Sequence, residues 1–424
     1  MYNLCNITVN GLRQTNNNLQ RQFGSKTFQN FHVKSPLSAT AIGQKVRTHP
    51  YHSGGNNFPP RVLITGGLGQ LGIDLAKKLK ARYGVDNIVS SDIQKPKNRE
   101  RGGHFLYLDV LKVDTIREAI VNYEIDWIIH FSAILSAVGE QNVPLAMRIN
   151  IESLHNVLQV ARQFNLRLFV PSTIGAFGPT TPKVNTPDVT VQQPKTVYGV
   201  SKVYCELLGE YFHQKFGVDF RCIRFPGIIS AETKPGGGTT DYAVQIYHDA
   251  LERGKHDCYL RPDTTLPMMY IEDCLDGVVQ IMEAPSSRLK RRVYNVSAMS
   301  FNPEQISADI GRRITHFQVT YHPCAYRQAI ADTWPQSLDD SNARADWSWN
   351  PQYDLSMMTD TMLSILEREK PHAYKWWESN EPIEKIELDG RNLFKVDKTD
   401  NITKPKTDVS IEKVVELKTA LTNE

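Results

Sequence analysis

The sequence predicts a doubly wound α/β fold, a parallel sheet flanked by helices, with a smaller C-terminal lobe over one end of it. Three observations carry this. Strand-length apolar runs alternate with helix-length amphipathic segments from Arg61 to Arg224. The first run, RVLIT at 61–65, leads into a glycine loop, TGGLGQLG at 65–72. An acidic residue, Asp92, follows the second run, 20 residues beyond Gly72. Together they describe a Rossmann-like sheet with right-handed crossovers.

The elements follow in order. After the glycine loop, Leu71, Leu75 and Leu79 recur at helical spacing. Asn87 to Ser91 reads as the second strand, His104 to Leu108 as the third, Trp127 to Phe131 as the fourth and Arg167 to Val170 as the fifth. A helix carrying Tyr198 and Lys202 runs on through Leu207, Leu208 and Tyr211, and FRCIR at 220–224 is the sixth strand. Beyond it come a second glycine loop, PGGGTT at 235–240, a strand-like LPMMY at 266–270, and helical runs near 272–283 and 355–368. These are read as the smaller lobe, placed over the C-terminal strand ends where open α/β sheets bind ligands. The expected organisation is a leader at 1–60, a dinucleotide-binding domain at 61–229, a substrate-binding lobe at 230–370 and a charged extension at 371–424. The extension is either disordered or docks through IEKVVELK at 411–418.

Composition bounds the class. A chain of 424 residues, 40% hydrophobic, has room for one large domain or two moderate ones. Its six cysteines include no C-x-x-C pair, so no metal site or disulfide framework is indicated. The longest apolar stretches are too short to span a bilayer, and a soluble protein is expected. Residues 1–60 hold six Lys and Arg and no acid, so removing them takes the formal charge from +3 to −3. An acid-free, Ser/Thr/Asn-rich leader of this kind is the composition of a mitochondrial transit peptide, with a disordered basic arm as the alternative. The basic residues are too dispersed for a nucleic-acid site.

The glycine loop follows a strand and opens a helix, so its backbone amides and the helix dipole face the place of a pyrophosphate. Gly66, Gly67, Leu68, Gly69, Gln70, Leu71 and Gly72 form this expected site. Asp92 is placed to accept the adenosine ribose hydroxyls and to repel a 2′-phosphate, which favours NAD. Lys95, Lys97 and Arg99 lie close by and leave NADP open. Asp109 and Val110, after the third strand, are candidate adenine contacts, although Asp109 serves equally well as a helix cap. Tyr198 and Lys202, four residues apart, share a helix face, where an ammonium beneath a phenol favours its ionised form and makes a base. On an ordinary helix the same spacing means a packed ring beside a solvated charge.

The glycine spacing, Asp92, Phe131-Ser132-Ala133, Pro171-Ser172-Thr173 and the Tyr198/Lys202 pair, in this order, resemble an extended short-chain dehydrogenase/reductase. VPSTIGAFGP (170–179), RFPGIIS (224–230), GGGTTDYA (236–243) and DTWPQSLDD (332–340) resemble the L-threonine 3-dehydrogenase branch of that superfamily, over about 61–370. The resemblance implies an NAD-dependent oxidation of the C3 hydroxyl of L-threonine to 2-amino-3-oxobutyrate. Tyr198 would be the base, Lys202 its support and a donor to the nicotinamide ribose, and Thr173 the holder of the substrate hydroxyl. Ser172 competes with Thr173 if the alignment slips by one. Ser132 and Ile228, with Pro226, would line the nicotinamide side. Ser136, Thr240 and Trp334 would surround the amino acid, where loop hydroxyls and a core indole are the alternative. Asn150 is read as a buried residue bonding a strand carbonyl, ahead of a proton path. A homodimer, a mitochondrial matrix location and a CoA-dependent 2-amino-3-oxobutyrate ligase downstream are further implications. The runner-up is a nucleotide-sugar epimerase or dehydratase, which needs basic residues for a diphosphate. Arg253, Lys255, Arg261 and the Lys290-Arg291-Arg292 run are the candidates, the last read as a solvated surface. A catalytically silent NAD-binding scaffold is the third reading.

Overall fold

A computed structural model describes residues 58–96, 103–232 and 238–369. Most of the leader, the 371–424 extension with its 411–418 segment, Pro235 to Gly237 of the second glycine loop, Lys97 and Arg99 lie outside the described residues.

The first part of the chain runs β1 (Val62–Thr65), α1 (Gln70–Tyr83), β2 (Ile88–Asp92), β3 (His104–Tyr107), α2 (Val113–Asn122) and β4 (Trp127–His130). It continues through α3 (Ser136–Gln141), α4 (Val143–Met147), α5 (Ser153–Phe164), β5 (Arg167–Phe169), β6 (Ser172–Thr173), α6 (Val197–Phe216) and β7 (Asp219–Phe225). A π-helical turn, Arg148–Glu152, joins α4 to α5. β1, β2, β4, β5 and β7 are buried at every position, as strands covered by helices on both faces must be. Alternate residues serve opposite layers. Val62 and Ile64 pack with Leu75 and Leu79 of α1, while Leu63 packs with Leu154 and Leu158 of α5.

The remainder comprises β8 (Gly227–Ile229), α7 (Tyr242–Arg253), β9 (Lys255–Cys258), β10 (Leu266–Tyr270), α8 (Ile271–Glu283), β11 (Val293–Asn295) and β12 (Met299–Phe301). α9 (Pro303–Gly311), β13 (Gln318–Tyr321), α10 (Ala325–Ala331), α11 (Ser341–Trp347) and α12 (Leu355–Glu369) complete it. The parallel sheet has the order β11-β7-β5-β4-β1-β2-β3, with β6 also on β7. Winding reverses between β1 and β4, so the crevice at their C-terminal ends is where such a sheet takes a ligand. β12-β10-β8 and β13-β9 form two small sheets. Six expected strands of the main sheet and β10 stand where the sequence placed them. β11, from residues beyond 230, is an addition to the main sheet, paired in parallel with β7.

The Lys290-Arg291-Arg292 run corrects one expectation. Lys290 is solvated, but Arg292 is buried and bonds Asp219 (3.2 Å) and Ser286 (3.1 Å). Asp219, at the head of β7, also accepts from Arg167 (2.8 Å) and Arg221 (2.9 Å). Arg167 and Arg221 reach on to the last carbonyls of α8, at Ile281, Met282 and Ala284. Three guanidiniums thus gather on one carboxylate, and two of them, Arg167 and Arg221, cap a helix C-terminus at the end of the sheet away from the crevice.

Candidate active site

At the mouth of the crevice the backbone itself is the cradle. Gly66 has φ +69°, and a Cβ there would stand 2.8 Å from Ser132 N. A Cβ on Gly72 would stand 2.3 Å from the Gly66 carbonyl oxygen, so only glycine lets α1 start this close to β1. The loop spends some amides on itself: Gly67 donates to Ser91 O (2.8 Å), Leu68 to Asp92 Oδ2 (3.2 Å) and Gly69 to Gly66 O (3.0 Å). Gln70 and Leu71, the first two helical residues, follow an N-cap with no side-chain cap, in a first turn without an acid. That leaves a positive helix end open at the crevice.

Asp92 is buried; its other oxygen accepts from Gln94 N (3.1 Å). The side-chain Nε2 of Gln94 is buried without a hydrogen-bond partner. A cradle that excludes any Cβ, an uncapped helix N-terminus and an orphaned amide beside a carboxylate fit a dinucleotide's pyrophosphate and ribose. Lys95 is exposed. Asp109 caps a turn, its carboxylate accepting from Leu111 N (3.0 Å). The Val110 side chain enters the core, and its carbonyl takes a hydrogen bond from Asn156 (2.9 Å).

The candidate catalytic residues collect around α6. Thr196 caps that helix through Gly199 N (3.1 Å), and Tyr198 and Lys202 lie on its inner face. Lys202 is buried, donates to the Pro171 carbonyl (2.7 Å) and sits 5.5 Å from the centroid of the Tyr198 ring. Gly199 is what lets the helix approach: a Cβ there would meet the Gly175 carbonyl oxygen at 2.2 Å. Thr173 and Tyr198 both border Gly175, at 3.5 Å (Oγ1) and 3.9 Å (Cδ1) from where its Cβ would be. Thr173 Oγ1 accepts from Gly175 N (3.0 Å), and its hydrogen is free to go elsewhere. Ser172, the competitor, turns away to hydrogen-bond Glu206.

Behind Lys202 lies a cavity lined by His130, Ser132, Asn150, Ser201 and Cys205 among others. His130 bonds Thr65 Oγ1 (2.8 Å) and Ser153 Oγ (3.1 Å). Burial, and secondarily the Lys202 charge, push its imidazole down to about 3. Asn150, on the π-helical turn, bridges both backbone groups of Ile134 (2.8 and 3.0 Å) and reaches Ser201 Oγ (3.1 Å), the backbone-bonding role read for it.

Ser136, Thr240 and Trp334 stand on three separate segments. Ser136 opens α3, whose Glu140 accepts from Val197 N (2.8 Å) at the head of α6. The Thr240 side chain is 3.0 Å from a Cβ built on Gly227, beside Ile228, which pairs with Met269. Trp334 packs on Ile174 and Phe177, in the turn directly after Thr173, and on Leu338. Lys183 donates to the carbonyls of Asp332 (3.0 Å) and Trp334 (3.1 Å), and burial lowers its affinity for its proton. Arg253 and Arg261, candidates for a diphosphate, are committed to Asp249 and Asp332.

Residues 62–297 match the model of the NAD dependent epimerase/dehydratase family. The chain belongs to that family. It is similar to mitochondrial L-threonine 3-dehydrogenase of Bos taurus, 56% identical over 306 residues, 72% of this chain and 82% of that one. Among solved structures, L-threonine dehydrogenase from Phytophthora infestans is 48% identical with TM-score 0.71, covering 73% of this chain and 99% of its own. The holo form of the GalE-like L-threonine dehydrogenase from Cupriavidus necator is 45% identical with TM-score 0.70, covering 72% and 100%.

For a member of the NAD dependent epimerase/dehydratase family, the sequence reading passed over Gly175, Gly199, Ser201 and Lys183. Gly175 lies within VPSTIGAFGP, and Gly199 and Ser201 lie between Tyr198 and Lys202. Lys183 carries no local signal, because its partners are backbone carbonyls about 150 residues away.

Proposed function

We propose that the chain oxidises the C3 hydroxyl of L-threonine to 2-amino-3-oxobutyrate with NAD. The observation that carries this is the buried Lys202 ammonium held against the Tyr198 ring, with Thr173 across Gly175, in a chain similar to threonine dehydrogenases. NAD, when bound, supplies the acceptor for the C3 hydride. Tyr198 takes the hydroxyl proton as the carbonyl forms, with the Lys202 ammonium 5.5 Å from the centroid of its ring. Thr173 donates to the substrate oxygen and fixes the carbon it sits on. Gly66 to Gly72 and Asp92 hold the cofactor's pyrophosphate and ribose, with Ser132 and Ile228 toward the nicotinamide; Asp109 and Val110 flank the adenine through their backbone. Ser136, Thr240 and Trp334 enclose the amino acid. The division at 229/230 into cofactor and substrate parts belongs to the same reading.

NADH formation on adding L-threonine, compared with L-serine and a UDP-sugar, is the test. Turnover with threonine should fall at least a hundredfold in Tyr198→Phe. Interconversion of UDP-sugars without threonine oxidation would move the assignment to an epimerase.

The same reading places the protein in the mitochondrial matrix, delivered by residues 1–60, whose deletion should abolish import into isolated mitochondria. The oxo-amino product is unstable, so a CoA-dependent ligase is its natural consumer. α6 leaves Val200, Leu207 and Tyr211 exposed along one side, beside His155 stacked on Tyr204. A second copy of this chain covers that face in the proposed homodimer.

A further inference from the structure

β6 contains only Ser172 and Thr173, two adjacent hydroxyl residues on an extended segment. Successive side chains on such a segment point opposite ways, so a slip of one residue would exchange Thr173 for Ser172 at the site. Hydroxyl would replace hydroxyl. Chemistry alone gives little penalty for the error, and two Cα pairings with β7, Ser172 with Arg224 and Thr173 with Phe225, are a short ladder to prevent it.

The structure supplies a second restraint. Tyr198, Lys202 and Glu206 stand at intervals of four along α6, on one face of the helix. Each meets the segment 171–173. The Lys202 ammonium donates to the Pro171 carbonyl (2.7 Å), Ser172 Oγ donates to Glu206 Oε1, and Thr173 shares the border of Gly175 with Tyr198. Glu206 is 2% exposed, and both of its oxygens are taken twice. Oε1 accepts from Ser172 and from Arg224 Nε (2.9 Å); Oε2 accepts from Arg224 Nη2 (2.7 Å) and Gln192 Nε2 (2.8 Å).

Arg224 therefore appears twice, as the strand partner opposite Ser172 and as the counter-ion of the carboxylate that holds the Ser172 hydroxyl. Ladder and ion pair enforce one register. The bidentate pairing also keeps the Glu206 charge occupied one turn from Lys202, whose own hydrogen bond goes to an uncharged carbonyl.

We propose that Ser172 and Glu206 form a register lock, a pair of positioning residues that sets Thr173, and not its neighbour, beside Tyr198. The proposal rests on the reading of Tyr198 and Thr173 as the reacting pair. Slackening the lock misplaces the substrate hydroxyl relative to the base without touching substrate or cofactor. A small misplacement of that kind is expected to lower the rate by roughly tenfold or more.

The test uses the full chain with Ser172→Ala. Its kcat for L-threonine should fall roughly tenfold or more while KM for NAD stays within about twofold, a split expected of lost transition-state positioning. The deuterium isotope effect on kcat, measured with C3-deuterated threonine, should rise as the chemical step becomes limiting. A variant with lower thermal stability but wild-type kcat and isotope effect would reduce the pair to a packing feature and overturn the proposal. Crystal structures of wild type and Ser172→Ala give an arm that needs no substrate. Thr173 turned or shifted away from Tyr198 in the variant supports the lock, and an unchanged arrangement overturns it. Absence of threonine turnover in the wild type would instead count against the proposed function, leaving the crystallographic arm to decide the lock.

Discussion

At the scale of single residues, His130 makes a prediction that is independent of catalysis. It is 4% exposed, hydrogen-bonded at both ring nitrogens and pushed down to about 3 by burial. An unfolded chain protonates it near the ordinary value of about 6.5. Between those values the unfolded state binds the extra proton, so this residue makes stability rise with pH, by up to about 1.4 kcal/mol per unit. His130→Gln keeps hydrogen-bonding atoms and removes the titration. In urea unfolding, the loss of stability between pH 7 and pH 5 should be about 2 kcal/mol smaller in the variant than in wild type; equal losses would sink the idea. Nothing in WIIH foretells this, since a histidine at a strand end looks alike whether buried or wet. Tyr198 and Lys202 could be singled out as candidates because both stand on one helix, and Asp92 because it ends a strand at a set distance from the glycine loop. Between Ser172 and Thr173 the sequence favours Thr173 by resemblance alone; that Ser172 turns to Glu206, on another element, is visible only in the fold.

At the scale of elements, the long amphipathic helices and fully buried strands were legible, and the two- and three-residue strands other than β5 were not. β6, β8, β11 and β12 have too few residues to show a period; they exist because a neighbour offers a free edge. The Asp219 cluster shows how such pieces are tied together. Burial alone would push the Asp219 carboxyl up, but Arg221 and Arg167 outweigh it and hold it at about 2. Its contribution to stability is therefore complete above about pH 4 and fades as pH falls toward 2. Asp219→Asn leaves three guanidiniums around a neutral amide, at a cost of about 3–5 kcal/mol. A fall in melting temperature should follow, with kcat at 25 °C preserved because the cluster lies at the far end of the sheet. A melting temperature equal to wild type would mean that the α8 carbonyls alone satisfy the arginines.

For the molecule as a whole, the parallel sheet and its binding crevice could be read from the order of strands and glycines, whereas the proposed homodimer rests on a surface no motif describes. Leu207, 61% exposed on α6, is the point to probe. Light scattering should give twice the 48.1 kDa chain mass for wild type and the single mass for Leu207→Glu; a dimer in both would place the interface elsewhere. Closure of the main sheet has its own consequence for how the chain is made. β7 is finished at Phe225, yet its outer neighbour β11 begins only at Val293. During synthesis some 70 residues must emerge before that edge is covered. Until then a strand that folding buries at every position offers its unpaired amides and carbonyls to any passing chain. The interval is a window for chaperone capture, and its length is set by where in the gene three residues, Val293 to Asn295, are encoded.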